Sequence, residues 1–387
     1  MSTSITQFVN PPAPVVCFAY NKDRTMIAIS ANSEKVFIYR RNGANWDTSA
    51  PAFVLAEHDK LVTGIDWAPE SNRIVTCSQD RNAYVWSFED GVAWRPKLVL
   101  LRINRAATCV RWSPDERKIA VASGARTISI CYFQPQHDWW ACRHIKKPIR
   151  STILSLDWHP NSVLVAAGCA DFTVRVFFAG IKEVETARPE PTPWGSKLSF
   201  DTCYHEFRGA CGTSACGWVH SVKFSPDGNT LAWVSHSSSV HFVTSDEGAT
   251  VQTVNFNGLP QRSVIWASDN SVIAGGHDAN IHLFTRGHDG QWAYVRPLDA
   301  TEKKSSSAGP ASGASAAMNM FRQLDSRGQQ ETDTSLPTVH QNAITQLSPY
   351  ESSGSRVTAF ASSGLDGKVV VWSINSIESS MAGLKIA

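Results

Sequence analysis

Apolar and polar positions alternate along this chain in short runs, not in long helical stretches. The clearest case is Val62-Thr63-Gly64-Ile65-Asp66-Trp67-Ala68-Pro69, then Arg73-Ile74-Val75-Thr76-Cys77-Ser78-Gln79-Asp80, then Asn82-Ala83-Tyr84-Val85-Trp86. Each run is rich in β-branched and aromatic residues and is bounded by Pro, Asn, Ser or Asp, which predicts a short strand followed by a turn. His58 stands just before the first run, and Asp80 sits in the last turn, six residues before Trp86.

Seven segments share this pattern. They start at Val15, Val62, Cys109, Leu156, Val222, Ser263 and Ile344, and close at Tyr39, Trp86, Tyr132, Phe177, Phe242, Phe284 and Trp372. The anchors Phe18, Trp67, Trp112 and Trp158 are 49, 45 and 46 residues apart, close to the ~40–45-residue period of a WD repeat. The intervals on to Phe224, Trp266 and Leu347 are 66, 42 and 81, so two connections carry extra chain. The expected fold is all-β: a seven-bladed WD-repeat β-propeller, one domain over residues 1–387. Ser4 to Val9 is expected to supply the outer strand of the last blade and so join the two ends of the ring.

The turn position six before the closing residue is Asp in four repeats: Asp80, Asp171, Asp278 and Asp366. By the same spacing it is Ser33, Arg126 and His236 in the others. A WD blade links a loop His, a strand Ser or Thr, this Asp and the closing Trp in one buried hydrogen-bond chain, because a buried carboxylate needs donors to offset its desolvation. The second blade offers His58, Ser78, Asp80 and Trp86; the seventh offers His340, Ser362 or Ser363, Asp366 and Trp372. These residues look like a catalytic set, but the expectation is that they hold the fold.

Two stretches break the repeat. Ala187 to about Gly217 opens with Pro189, Pro191 and Pro193, which enforce extended backbone. It also carries Cys203, His205, Cys211 and Cys216, with His220 beyond, in a spacing that fits no common zinc finger, so no metal site is assigned. Residues 301–338 form an inserted arm with Ser- and Gly-rich flanks. Between the flanks, Ser315 is a good cap and Gly328 a good stop, and Ala317, Met320, Phe321 and Leu324 share one face of a helix at about 315–327. Such a helix either folds back on the propeller or, as a tethered amphipathic ligand, docks in a partner's groove.

Composition narrows the function. Apolar residues make up 42 % of the chain, charged residues 18 %, and there are 14 Trp, which suits many short buried strands. A net charge of +2 gives no global attraction to nucleic acid. Nine Cys, mostly inside apolar strands, together with no signal pattern and no run long enough to span a membrane, lead to the expectation of a soluble cytoplasmic protein with reduced thiols. Arg143, Lys146, Lys147 and Arg150, with Arg102 and Arg105 one blade earlier, form a candidate basic rim, either for an acidic partner or simply solvated. No phosphate-binding loop, nucleophile elbow, zinc-protease motif or dinucleotide fingerprint appears, and no enzyme is expected.

Several strings are not required by any propeller: Trp67-Ala-Pro-Glu-Ser-Asn-Arg-Ile-Val-Thr-Cys77, Arg102-Ile-Asn-Arg-Ala106, Ile145-Lys-Lys-Pro-Ile-Arg-Ser-Thr152, Pro191-Thr-Pro-Trp-Gly-Ser-Lys197, Cys216-Gly-Trp-Val-His220 and the ending Gly383-Leu-Lys-Ile386. Through these strings nearly the whole chain resembles subunit 1, the WD-repeat subunit, of actin-related protein 2/3 complexes. The resemblance implies a non-catalytic, cofactor-free scaffold in a nucleator of branched actin filaments. Its partners would be the other subunits, the side of an actin filament and the acidic tails of activators, at the actin-rich cell cortex and protrusions. It also implies that Met320, Phe321, Arg322 and Leu324 belong to an actin-contacting helix. The competing readings are a generic WD adaptor, such as a ubiquitin-ligase receptor, and a propeller hydrolase with channel carboxylates.

Overall fold

The computed structural model describes residues 3–9, 13–89, 91–185, 190–209, 217–299, 336–380 and 386. Seven antiparallel blades follow one another along the chain. The first strands neighbour each other in blade order, and that of the seventh (Ile344–Ser353) meets that of the first (Cys17–Tyr20), which closes the ring. The outer strands of the second and third blades, Ala93–Val99 and Trp139–Ile145, touch through one parallel bridge at Val99 and Trp140.

Ring closure takes the expected form. Thr3–Gln7 pairs antiparallel with Lys368–Ser373, from Thr3 opposite Trp372 to Gln7 opposite Lys368. The next residue, Phe8, is buried against Tyr39 and Trp46 of the first blade, at centroid separations of 5.1 and 5.4 Å. One short segment therefore pairs with the last blade and packs on the first.

In five blades the second strand is buried throughout, because it has a strand on either side and a blade on either face. Ile74–Ser78, Lys118–Ser123, Leu164–Cys169, Thr230–Ser235 and Ser271–Gly276 are buried at every position. Trp67, Trp112, Trp158 and Trp266 are buried at matching positions of the first strands, and side chains of adjacent blades fill the core between them.

The structure corrects two anchors and two closing positions: Tyr39 traces back through Ile27 to Tyr20, not Phe18, and Trp372 through Phe360 to Pro349, not Leu347. Trp86 lies opposite Ile74, which in turn lies opposite Trp67. The same relation in the third blade leads from Trp112 through Ile119 to Cys131, not Tyr132. In the fifth it leads from Phe224 through Leu231 to Val243, not Phe242. A neighbouring aromatic masked the true register, since a slip of one residue moves every side chain to the other face. The turn positions shift with it. Ala125 and Ser237, not Arg126 and His236, correspond to Asp80, and the residue after each of the three has positive φ.

The stretch from 187 to 217 is not wholly an interruption. Cys203–Arg208 is the outer strand of the fourth blade. Ahead of it Trp194 is buried under Phe224 of the fifth blade and donates its indole N–H to the Gly228 carbonyl at 2.7 Å. At the other end the helix Ile374–Ser380 buries Ile374 and Ile377 beside Ile386, an element the alternating pattern did not announce.

Candidate interaction site

Two blades carry a complete polar chain. In the second, the Trp86 indole N–H donates to Thr76 Oγ1 at 3.0 Å, and Thr76 lies 2.8 Å from His58 Nε2. The other ring nitrogen, Nδ1, lies 2.8 Å from Asp80. The backbone amides of Asp59 and Asn82 donate to the same carboxylate. The seventh blade repeats this from Trp372 through Ser362 and His340 to Asp366, with amides from Gln341 and Lys368. Burial pushes His58 below its ordinary pKa, against the pull of Asp80. The neutral ring then accepts from the hydroxyl and donates to the carboxylate. Burial would raise Asp366, but His340 and the two amides outweigh it and hold the carboxyl below its ordinary value.

Ser78 is therefore not the link; Thr76 is. Ser78 closes the turn instead, donating to the Lys60 carbonyl at 2.8 Å and accepting from the Asp80 amide at 3.1 Å. Strand alternation puts Thr76 on the same face as Ser78 but two residues deeper, one diagonal step from Trp86. The same spacing of ten residues selects Ser362 over Ser363, which pairs with Thr345 at 2.7 Å.

Asp171 and Asp278 occupy the same turn position without a loop histidine. Asp171 takes both guanidinium nitrogens of Arg175, at 3.1 and 2.9 Å. Asp278 takes His282 at 2.5 Å. Arg175 and His282 both lie on the third strand, four residues after their Asp, where the second blade has Tyr84.

The ring encloses a polar channel that the sequence reading missed. Asp66, Arg111, Asp157 and Lys223 line a cavity of about 400 Å³ and alternate in sign from blade to blade. Asp66 accepts the Trp112 amide at 2.7 Å; Asp157 accepts the Phe224 amide at 2.9 Å and the Lys223 ammonium at 2.6 Å. Each carboxylate bonds to the next blade, so the set stitches blades together. The signal was the residue directly before each anchor aromatic.

The basic rim is built from loops joining one blade's outer strand to the next blade's first strand. Arg102, Arg105, Lys146, Lys147 and Arg150 are exposed there, and Arg126, in a turn of the third blade, is exposed too. Arg105 packs against the Gly124 turn, where an added Cβ would lie 3.3 Å from its side chain, which ties the two loops together. Among the described residues, no carboxylate forms an ion pair with any of these six. Arg143 behaves differently: it lies on the outer strand with its guanidinium 4.1 Å from the Phe200 ring centroid. Met320, Phe321, Arg322 and Leu324 lie outside the described residues.

Comparison with known proteins agrees with this architecture. Residues 49–87 and 141–177 match the family described as WD domain, G-beta repeat. Actin-related protein 2/3 complex subunit 1A-A of Xenopus laevis is 50 % identical over 374 residues, 96 % of this chain and 97 % of that protein. Subunit 1 of Schizosaccharomyces pombe is 45 % identical over 94 % of this chain and 97 % of its own length. Subunit 1B of Arabidopsis thaliana is 39 % identical over 94 % and 95 %. The chain belongs to the actin-related protein 2/3 complex subunit 1 family. Similarity to subunit 1 proteins of animal, fungal and plant origin spans both stretches that interrupt the repeat. A shared propeller alone does not require that.

Proposed function

We propose that this chain is the WD-repeat subunit of an actin-related protein 2/3 complex, and that it acts as a non-catalytic scaffold in nucleating branched actin filaments. The observation that carries this reading is identity of 39–50 % over 94–96 % of the chain to proteins bearing that subunit's name. A cytoplasmic place in the actin cytoskeleton follows from the same reading.

Two finer roles belong to the proposal. The arm helix around Phe321 and Leu324 binds the side of an existing filament. The exposed cations at Arg102, Arg105, Lys146, Lys147 and Arg150 receive the acidic tail of an activator, since exposed charge steers an opposite charge at little desolvation cost.

The test is reconstitution of the complex with Phe321→Ala and Leu324→Ala together. Branch density and filament-side binding should fall while the subunit still incorporates. Unchanged branching at full incorporation would refute the helix role. Co-purification with a ubiquitin-ligase scaffold, without actin-related proteins, would refute the assignment to the complex.

A further inference from the structure

His220, His236 and His277 come from three separate stretches of chain. His220 lies on the first strand of the fifth blade, Val219–Phe224. His236 follows that blade's second strand, and His277 follows the second strand of the sixth. In the register, His236 and His277 are equivalent residues of neighbouring blades, each directly before the position that Asp80 holds in the second. One ring nitrogen from each of the three histidines lies within 4.8 Å of the other two. Among the described residues no other set of three His, Cys, Asp or Glu side chains is grouped as closely.

Backbone contacts hold the rings in place. The His236 amide donates to the Trp218 carbonyl at 2.9 Å. A Cβ at Gly217 would lie 2.6 Å from the His236 amide nitrogen, so the strand approaches only as glycine. The His277 amide donates to the Pro260 carbonyl at 3.0 Å, and a Cβ at Gly276 would lie 2.5 Å from the Gln261 Cα. Trp218, half exposed, covers one side of His236 at a centroid distance of 5.7 Å.

We propose that these three histidines form a zinc(II) site that clips the fifth blade to the sixth, with the fourth tetrahedral position open. Three imidazoles and an open position are an established zinc donor set. His220 Nε2 and His236 Nδ1 are 2.9 Å apart, one ring donating its N–H to the other's lone pair. Two nitrogens on one tetrahedral zinc, at bonds of about 2.0–2.1 Å, would stand only slightly farther apart. On metal binding the donor ring moves its proton to its other nitrogen, so both rings ligate while neutral.

This set differs from the one that sequence spacing suggested. His205 does not join it; its Nε2 donates to the Trp194 carbonyl at 2.7 Å. Sequence alone could not connect His220 to His277, 57 residues away, without the blade register.

The test uses the full-length chain in the assembly in which it is purified, titrated with zinc(II) and, as a spectroscopic probe, cobalt(II). One equivalent of zinc should bind, and cobalt should give the visible bands of a tetrahedral site. His236→Ala and His277→Ala, both at exposed positions, should each weaken binding about tenfold or more, the scale on which even outer-shell changes act. His288→Ala, at another exposed histidine, should leave it unchanged. Absence of stoichiometric binding by the wild type would overturn the proposal. So would binding that survives His277→Ala but is lost when Cys211 and Cys216 become Ser.

Discussion

The polar chains of the second and seventh blades and the rim over the second to fourth blades are both charged, and both sit where blades turn and join. They differ in what satisfies the charge. Asp80 and Asp366 are nearly inaccessible, with side chains 4 % and 6 % exposed, and each accepts from a histidine and two backbone amides. The rim cations are exposed and, among the described residues, have no carboxylate partner. Charge satisfied inside the chain specifies the fold, whereas charge left exposed is available to another molecule. The fourth and sixth blades fall between: Asp171 and Asp278 are satisfied, but by a residue four positions on and with more solvent access, 22 % and 18 %.

The largest expected effect on the buried side is acid destabilisation. His58, His159, His220 and His241 all have pKa values lowered by burial, the last two to about 4. Unfolded histidine titrates near 6.5, so below that pH the unfolded chain binds more protons than the folded one and stability falls. The loss should run from about pH 6.5 towards about pH 4. Asp66 and Asp299, raised by burial, act in the opposite direction and offset part of it. His241 alone accounts for up to about 3 kcal/mol. Its ring contacts the hydroxyls of Ser235, Ser239 and Thr253, so His241→Gln should flatten the acid limb of a stability–pH curve measured by urea unfolding.

Next come the aspartates. Asp366→Ala leaves the His340 N–H and two amides without an acceptor in a buried setting and should cost about 3 kcal/mol. Asp278→Ala should cost about 1 kcal/mol, because solvent reaches that carboxylate. Equal costs in thermal unfolding would remove the distinction between closed and open blades. A finer test stays inside one blade. Thr76→Val interrupts the chain from Trp86 to His58 and should cost about 2 kcal/mol; Ser78→Ala removes only turn contacts and should cost about 1 kcal/mol.

Much of the fold was legible in the sequence because each blade repeats the same demands: an anchor aromatic, a small-residue strand and a turn. The joining of the ring's ends was legible in the short segment Ser4 to Val9 ahead of the first repeat, although the strand itself runs Thr3–Gln7. Failures occurred where local chemistry was ambiguous. Tyr132 and Phe242 stand beside the true closing residues Cys131 and Val243, all four are buried, and only strand pairing reveals which one lies opposite the anchor's partner on the second strand. Thr76 and Ser78 share a strand face, and only the diagonal step to Trp86 singles out Thr76 as the link. The channel charges at Asp66, Arg111, Asp157 and Lys223 were visible as residue types, but their convergence depends on ring closure. The rim was legible as a charge cluster, except that Arg143 packs on Phe200.

The smallest expected effect on stability, and the largest on binding, lies at the rim. Lys146→Glu, Lys147→Glu and Arg150→Glu should each leave the unfolding free energy within about 0.5 kcal/mol of wild type, since exposed substitutions rarely exceed that. The most direct measurement is the affinity of this triple variant for an acidic activator-tail peptide, read at low and high salt beside the wild type. A marked loss of affinity and of its salt dependence is expected in a fully folded protein. Unchanged affinity, or a loss that merely tracks unfolding, would contradict this expectation.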